Sequence, residues 1–542
     1  MSSSNIQLSL FESENAPNRK EVKKSEAKLK TEAKLYNAAE RVESNLPPLN
    51  LPIRYERLHD IAEEKKIPIR PLIVPVHDAI KQIEEELHTI SEILMGRLFV
   101  ISGETGSGKT TFLSSLGFFI DNISIFFLKD ISIDRKNTIE KELYSLNRPR
   151  KNFSVVVLEG REAPGTIKSE ELDVLLTTLN RDFRGETGCN TLFVIPTTSP
   201  NVAQNISMRA NSIGGMTSKE RPFYVFTGPP RNEYIPIINE TLRSLNDGRI
   251  LDDYGIDERK ANSVAQTSNS IGNFMQSCQE TILSERRTLR KAMHSLKRKR
   301  IHLWMVFCSL EDDLRRNYDM IRSLTTSDYH HVQVKRLLRG NSREVRYWEN
   351  NLDKFARAAQ YLDLRISHLP MRTVNSVVSA YADYELQEHL KSKGLFKRAP
   401  NRDSAQDSLR ATAIGTFLIT RHGFFDKDLS RRGKSTLEKQ DLFKEIAGLA
   451  SKDDKALNIC IVRALRDIFA SKTNYTVHPE LPITDNSSVI TDVAVVNTSD
   501  IYCLEIKWRS QLIPESKIIR QTVKRVEEFS KELPEIKNLL ES

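Results

Sequence analysis

One octet constrains this chain more than any other stretch. Gly103-Glu104-Thr105-Gly106-Ser107-Gly108-Lys109-Thr110 follows the apolar run Arg97-Leu98-Phe99-Val100-Ile101 and precedes an amphipathic segment over 111–119. It has the form G-x-x-x-x-G-K-[ST] in a strand, loop, helix setting. Glycines let backbone N–H groups turn inward around a triphosphate at a helix N-terminus, the lysine reaches the β and γ phosphates, and the hydroxyl ligates Mg²⁺. Gly103 through Thr110 are therefore the expected nucleotide-binding residues, with ATP and Mg²⁺ as cofactors, Lys109 on the phosphates and Thr110 on the metal.

At 542 residues the chain is too long for one core and should hold several. Short apolar runs at 98–101, 123–128, 155–158, 192–195 and 223–226 alternate with helical patterns, the rhythm of a parallel α/β sheet. The run Ser154-Val155-Val156-Val157-Leu158 ends in Glu159, the expected carboxylate of the metal's water shell. A second acid directly after it would be the water-activating base, but that position is Gly160. Glu162 is the candidate base, a helix-capping or salt-bridged role being its other reading. The 191–198 run ends in Thr197 and Thr198, where a γ-phosphate-sensing residue would sit and where turn chemistry serves equally. An extra strand between loop and acid, a polar strand end and a helical lid after Phe226 together resemble the AAA+ and related signalling ATPases over about 70–285. That resemblance implies ATP hydrolysis and a nucleotide-dependent homo-oligomer. It also implies an arginine finger from a neighbouring subunit, with Arg209, Arg221 and Arg231 in the window.

A second constellation lies near the C-terminus. Ile490-Thr491-Asp492-Val493-Ala494-Val495-Val496 reads as a strand, followed after a turn by Ile501-Tyr502-Cys503-Leu504-Glu505-Ile506-Lys507-Trp508. Alternate residues of a strand share a face, so Glu505 and Lys507 project together while Leu504 and Ile506 enter the core. Asp492 and Glu505 can hold one or two Mg²⁺ through hard oxygen ligands, and Lys507 can position the attacking water and offset phosphate charge. Asp492, twelve residues, then Glu505-x-Lys507 resembles the PD-(D/E)xK restriction-endonuclease-like superfamily over about 435–535. The resemblance implies a Mg²⁺-dependent DNA nuclease in which Arg520 and Gln521 of the next helix face the nucleic-acid backbone. The family's first-helix acid is left between Glu445 and Asp454.

Near the N-terminus stands Gln7-Leu8-Ser9-Leu10-Phe11, in a stretch of Lys, Glu, Ala, Ser and Asn too polar to build a core. The pentapeptide resembles the bacterial sliding-clamp-binding motif, in which Gln7 makes polar contacts and Leu8, Leu10 and Phe11 fill an apolar groove. Between the two constellations, 236–396 reads as all-helical. Residues 285–300 carry eight Lys or Arg in sixteen positions, either a helix along phosphates or a solvated face. His330, His331 and His478 read as surface or packed residues, and Trp304, Trp348 and Trp508 as core anchors.

The expected layout is multidomain. It runs from a tether with the clamp motif (1–65) through an α/β P-loop NTPase core of AAA+ type (66–235) to a helical lid and all-α middle (236–396). A linker (397–434) and an α/β restriction-endonuclease-like domain (435–542) follow. Five unpaired cysteines without a C-x-x-C spacing argue against a disulfide framework. No secretion signal or membrane-length apolar run is visible, so a cytoplasmic setting without membrane contact is expected, and the resemblance to the clamp motif implies a bacterial source. A net charge of +9 marks a mildly basic protein, and the nuclease and clamp-motif resemblances imply DNA as partner. The module combination resembles bacterial anti-phage or mobile-element defence proteins, which leaves room for an operon-encoded partner. The alternatives are an ATP-driven DNA-binding scaffold with an inactive nuclease fold, and a replication-linked repair factor.

Overall fold

The computed structural model describes residues 46, 49–129, 136–149, 152–160, 163, 165–294, 299–310, 314–326, 330–339, 342–395, 401–420, 437–484, 487–511 and 513–541. The clamp-like residues Gln7, Leu8, Leu10 and Phe11, and also Glu162, lie outside them. Asn50–Ser542 form one compact unit, which contains both β-sheets.

The first sheet has five parallel strands: β1 (Arg97–Ser102), β2 (Ile123–Leu128), β3 (Phe153–Leu158), β4 (Thr191–Thr197) and β5 (Tyr224–Val225), in the order β2-β3-β4-β1-β5. These are the five runs expected to be strands. Its central strands are apolar at nearly every position because helices cover both faces. Leu98 and Val100 pack with Leu172, Leu179 and Ile206 on one side, while Phe99 and Ile101 pack with Ile83, Ile90 and Phe112 on the other.

The second sheet corrects the expectation of an all-α middle. It comprises β6 (Arg300–Ser309), β7 (Arg365–His368), β8 (Thr476–Pro482), β9 (Ile490–Val496) and β10 (Asp500–Arg509), in the order β7-β6-β10-β9-β8. β6 runs parallel to β10 in a ten-residue register from Arg300 opposite Asp500 to Ser309 opposite Arg509, and β7 is parallel to β6. β8, β9 and β10 form an antiparallel meander. The region between 236 and 396 thus supplies two strands to the C-terminal sheet. An apolar run such as Leu303 to Cys308 carries no alternation by which periodicity separates strand from buried helix. The long basic helix is also interrupted: Ile271–His294 is helical, 295–298 lie outside the described residues, and Arg300 begins β6. Within that helix Arg286 is buried, which lowers its pKa to about 10 against the opposing effect of Tyr254, with Arg290 and Arg249 adding to the fall.

Two further boundaries move. Residues 50–65 belong to the folded unit: helix Tyr55–Glu64 buries Leu58 and Ile61 against Leu72 and Leu245, and the Asn50 N–H donates to Asn246 Oδ1 at 2.7 Å. In the expected linker, helices Arg402–Arg410 and Ala413–Thr420 bury Leu409, Phe417 and Leu418 in the same core as Trp304, Val306, Leu504, Ile506 and Trp508. At the start of β6 and β10, buried His302 bonds Asp363 at 2.8 Å and Asp500 at 3.0 Å, pinning β6, β10 and the approach to β7 in register. Burial works to raise the Asp363 carboxyl, but Arg365 and His302 outweigh it and hold it well below the usual range. His331 packs against the same carboxylate, its ring at 3.3 Å.

Candidate functional site

The octet forms a tight loop between β1 and helix Lys109–Ser115. Gly106 (φ +81°) and Gly108 (φ +96°) occupy the left-handed region open mainly to glycine, which is what lets the N–H groups converge. Lys109 is 4% exposed, and its Nζ donates to the carbonyls of Gly103 (2.7 Å) and Glu104 (3.2 Å), so the ammonium is held at the loop's own centre. The N-terminus of helix Ile271–His294 closes over the loop: the Gly272 N–H donates to Gly106 O at 2.9 Å, and a Cβ on Gly272 would stand 2.8 Å from Gly106 Cα. A cavity of about 750 Å³ opens beside Thr105, Lys109 and Thr110, with Tyr55, Ile73, Ile237 and Met275 among its walls. That volume suits a nucleotide, and its apolar side offers a surface for a base. Tyr55 lies in the segment expected to be a tether. The spacing of Tyr55, Leu58 and Ile61 was the signal of an amphipathic helix there.

Glu159 follows the end of β3, which is separated from β1 by β4. Its carboxylate pairs with Lys129 Nζ at 3.2 Å. Thr197 ends β4 opposite Ser102, is fully buried, and its carbonyl accepts the Gly103 N–H at 3.1 Å, which sets it against the loop; Thr198 follows half-buried. The three finger candidates are engaged within their own chain: Arg209 with Asp173 at 2.8 Å, Arg221 with Gln82 at 3.2 Å, and Arg231 with Gln266 O at 3.3 Å.

On the second sheet, β10 directs Leu504, Ile506 and Trp508 into the core and Cys503, Glu505 and Lys507 to the other face, where helix Glu515–Glu532 carries Arg525. Lys507 Nζ stands 3.4 Å from Asp492 Oδ2 and 3.5 Å from Glu505 Oε2. The Ile506 N–H donates to Asp492 Oδ2 at 2.7 Å, so the backbone of β10 orients the carboxylate of β9. Glu505 is 1% exposed, and burial, then the Asp492 charge, push its carboxyl up against Arg525 and Lys507. Asp454, preceding helix Lys455–Phe469, is raised by burial and then by Asp492, with Lys507 opposing, which puts it in the electrostatic reach of the pair. Glu445 is engaged elsewhere, accepting from His389 Nε2 at 2.7 Å.

Among the described residues no group of three or more His, Cys, Asp or Glu side chains stands ready to hold a metal ion. The donor chemistry nevertheless fits Mg²⁺, which keeps several waters and takes one or two carboxylates. The repulsion that Asp492 exerts on Asp454 and on Glu505 is what a dication would relieve. Arg520 is solvent-exposed and lies 3.8 Å from Glu344, while Gln521 is half-buried with its Oε1 lacking a partner among the described residues. The residue of that helix that reaches the carboxylates is Arg525, whose Nη2 donates to Glu505 Oε1 at 2.6 Å. A signal for it existed: Arg525 falls on the helix face of Thr522, Val526 and Phe529, and a cation among buried positions needs an anion.

No helix among the described residues is long and apolar enough to cross a membrane. No family model and no curated protein matches the chain. Among solved structures, the Drosophila ORC bound to DNA matches at 10% identity and TM-score 0.27, over 75% of this chain and 98% of that one. The Drosophila ORC bound to poly(dA/dT) DNA and Cdc6 matches at 10% identity and TM-score 0.26, over 76% and 71%. Similarity of that degree carries no inference about what this chain does.

Proposed function

We propose that the chain is an ATP-dependent DNA-processing protein of AAA+ type, in which nucleotide turnover at the 103–110 loop controls a Mg²⁺-dependent nuclease centred on Asp492, Glu505 and Lys507. The observation that carries the coupling is one helix. Ile271–His294 rests its N-terminal turn on the phosphate loop, and the next element in the chain, β6, pairs along the whole of β10, the strand bearing Glu505 and Lys507. Twenty-four residues of helix span about 36 Å. A shift imposed at Gly272 by a nucleotide is thereby delivered to the nuclease sheet.

At the loop, backbone N–H groups and Lys109 hold the phosphates, Thr110 and Glu159 are the proposed residues of the metal shell, and Glu162 is the proposed base. At the second site Asp492 and Glu505 supply hard oxygen ligands, and a bound Mg²⁺ would polarise the phosphodiester and acidify a water. Lys507 holds an ammonium where charge builds on the scissile phosphate. Recruitment to a bacterial sliding clamp through Gln7, Leu8, Leu10 and Phe11, a homo-oligomer closed by an arginine finger, and a role in anti-phage or mobile-element defence complete the proposal. These rest on sequence resemblance.

Purified protein incubated with linear, circular and single-stranded DNA, with and without ATP and Mg²⁺, tests the reading. Cleavage that needs Mg²⁺ and changes with ATP supports it. DNA binding without cleavage in every condition would leave an ATP-driven scaffold in its place.

A further inference from the structure

Resting on the nuclease reading of the second site, we infer that Arg525 is a positioning residue for it. The guanidinium holds one oxygen of Glu505 and leaves the other facing Lys507 and Asp492, where a divalent cation is to be taken.

The guanidinium is fixed from several sides. Nη2 donates to Glu505 Oε1 at 2.6 Å and also to Ile490 O, Nη1 donates to Glu528 Oε2 at 2.7 Å, and the plane lies 5.2 Å from the Phe529 ring centroid. A planar fork can serve two carboxylates at once in fixed directions, which the point charge of a lysine cannot. Glu505 is 1% exposed and Arg525 15%, so neither charge is relaxed by bulk water and the pair keeps its geometry. With Oε1 occupied, Oε2 is the oxygen of Glu505 turned to the Lys507 ammonium, which also lies near Asp492 Oδ2. Gln521 Oε1, Thr522 Oγ1 and Arg525 Nε on the same helix are buried without a partner among the described residues. Buried polar atoms in folded proteins are almost always satisfied, so ordered water is the partner these atoms call for.

The test is a titration of the full-length protein with Mn²⁺, without nucleotide, read by the free-ion electron paramagnetic resonance signal, with Asp492→Asn as the reference that lacks the site. The wild-type protein is expected to bind an Mn²⁺ that Asp492→Asn does not. Arg525→Met should bind it about 10–100-fold more weakly, the usual effect of losing an outer-shell partner, with Arg525→Lys in between. Cleavage by Arg525→Met should recover as Mn²⁺ is raised, whereas a purely structural role would lower it equally at every concentration. Circular dichroism and ATP binding report folding, and Arg525→Lys, which keeps the buried charge, stands in should the methionine variant not fold. Wild-type Mn²⁺ affinity in either variant, or a loss of cleavage that Mn²⁺ does not restore, overturns the positioning role alone. A wild-type protein that binds no more Mn²⁺ than Asp492→Asn overturns the nuclease reading together with it.

Discussion

The two five-stranded sheets reach their chemistry by opposite routes. The phosphate-loop sheet draws all its strands from 97–225, and its key residues are eight consecutive positions. The second sheet draws strands from 300–309, 365–368 and 476–509, and its charged centre joins Asp492, Glu505, Lys507 and Arg525 with Asp454 near by. A site made by one loop is specified by local backbone geometry. A site made by several elements exists only after the long-range register is set.

The sharpest way to break this contrast is Lys109→Ala. Removing the ammonium should cut ATP turnover by about 10²–10³-fold, the cost of losing one preorganised charge, while Mn²⁺ binding at the second site persists. Unchanged hydrolysis would show that the loop is not a catalytic phosphate site. The mirror experiment replaces Asp492 by Asn, Glu505 by Gln or Lys507 by Ala. Each should lower DNA cleavage by more than the ~10–100-fold that an outer-shell partner is worth, with ATP hydrolysis intact. Three variants cleaving at the wild-type rate would reduce the second sheet to a structural module.

Trp304→Ala sharpens the comparison through stability. Trp304 is 1% exposed, sits opposite Leu504, and packs 5.2 Å from the Phe417 ring. Its loss should cost about 3–5 kcal/mol in denaturant unfolding and should weaken cleavage more than ATP binding. Equal loss of both functions would mean that the sheets do not unfold separately. A smaller effect is expected of Gly272→Ala, whose methyl would stand 2.8 Å from Gly106 Cα. Overpacking of about 1–3 kcal/mol should weaken nucleotide affinity roughly tenfold and blunt the ATP dependence of cleavage. An unaltered ATP response would remove the helix as the link between sites. Smallest of all should be replacing Gln7, Leu8, Leu10 and Phe11 by Ala, which should leave ATPase and in-vitro cleavage untouched. A peptide covering residues 1–16 should lose affinity for purified bacterial clamp on the same change, and equal binding by both peptides would retire the clamp proposal.

By itself the sequence determined the five strands of the first sheet and the octet between β1 and its helix. Apolar runs of strand length and a glycine pattern act within a few residues of themselves. It also marked the Asp492, Glu505 and Lys507 pattern, since strand alternation assigns a face without knowledge of the neighbours. What covers that face was not legible. Pairing of β6 with β10 joins residues some two hundred positions apart, the pairing of Glu445 with His389 depends on where two helices pack, and Arg525 meets Glu505 only because helix Glu515–Glu532 lies across the sheet. Only the tertiary structure decided these, because buried charges and paired strand edges find their partners across space, and adjacent sequence carries no record of which partner that is.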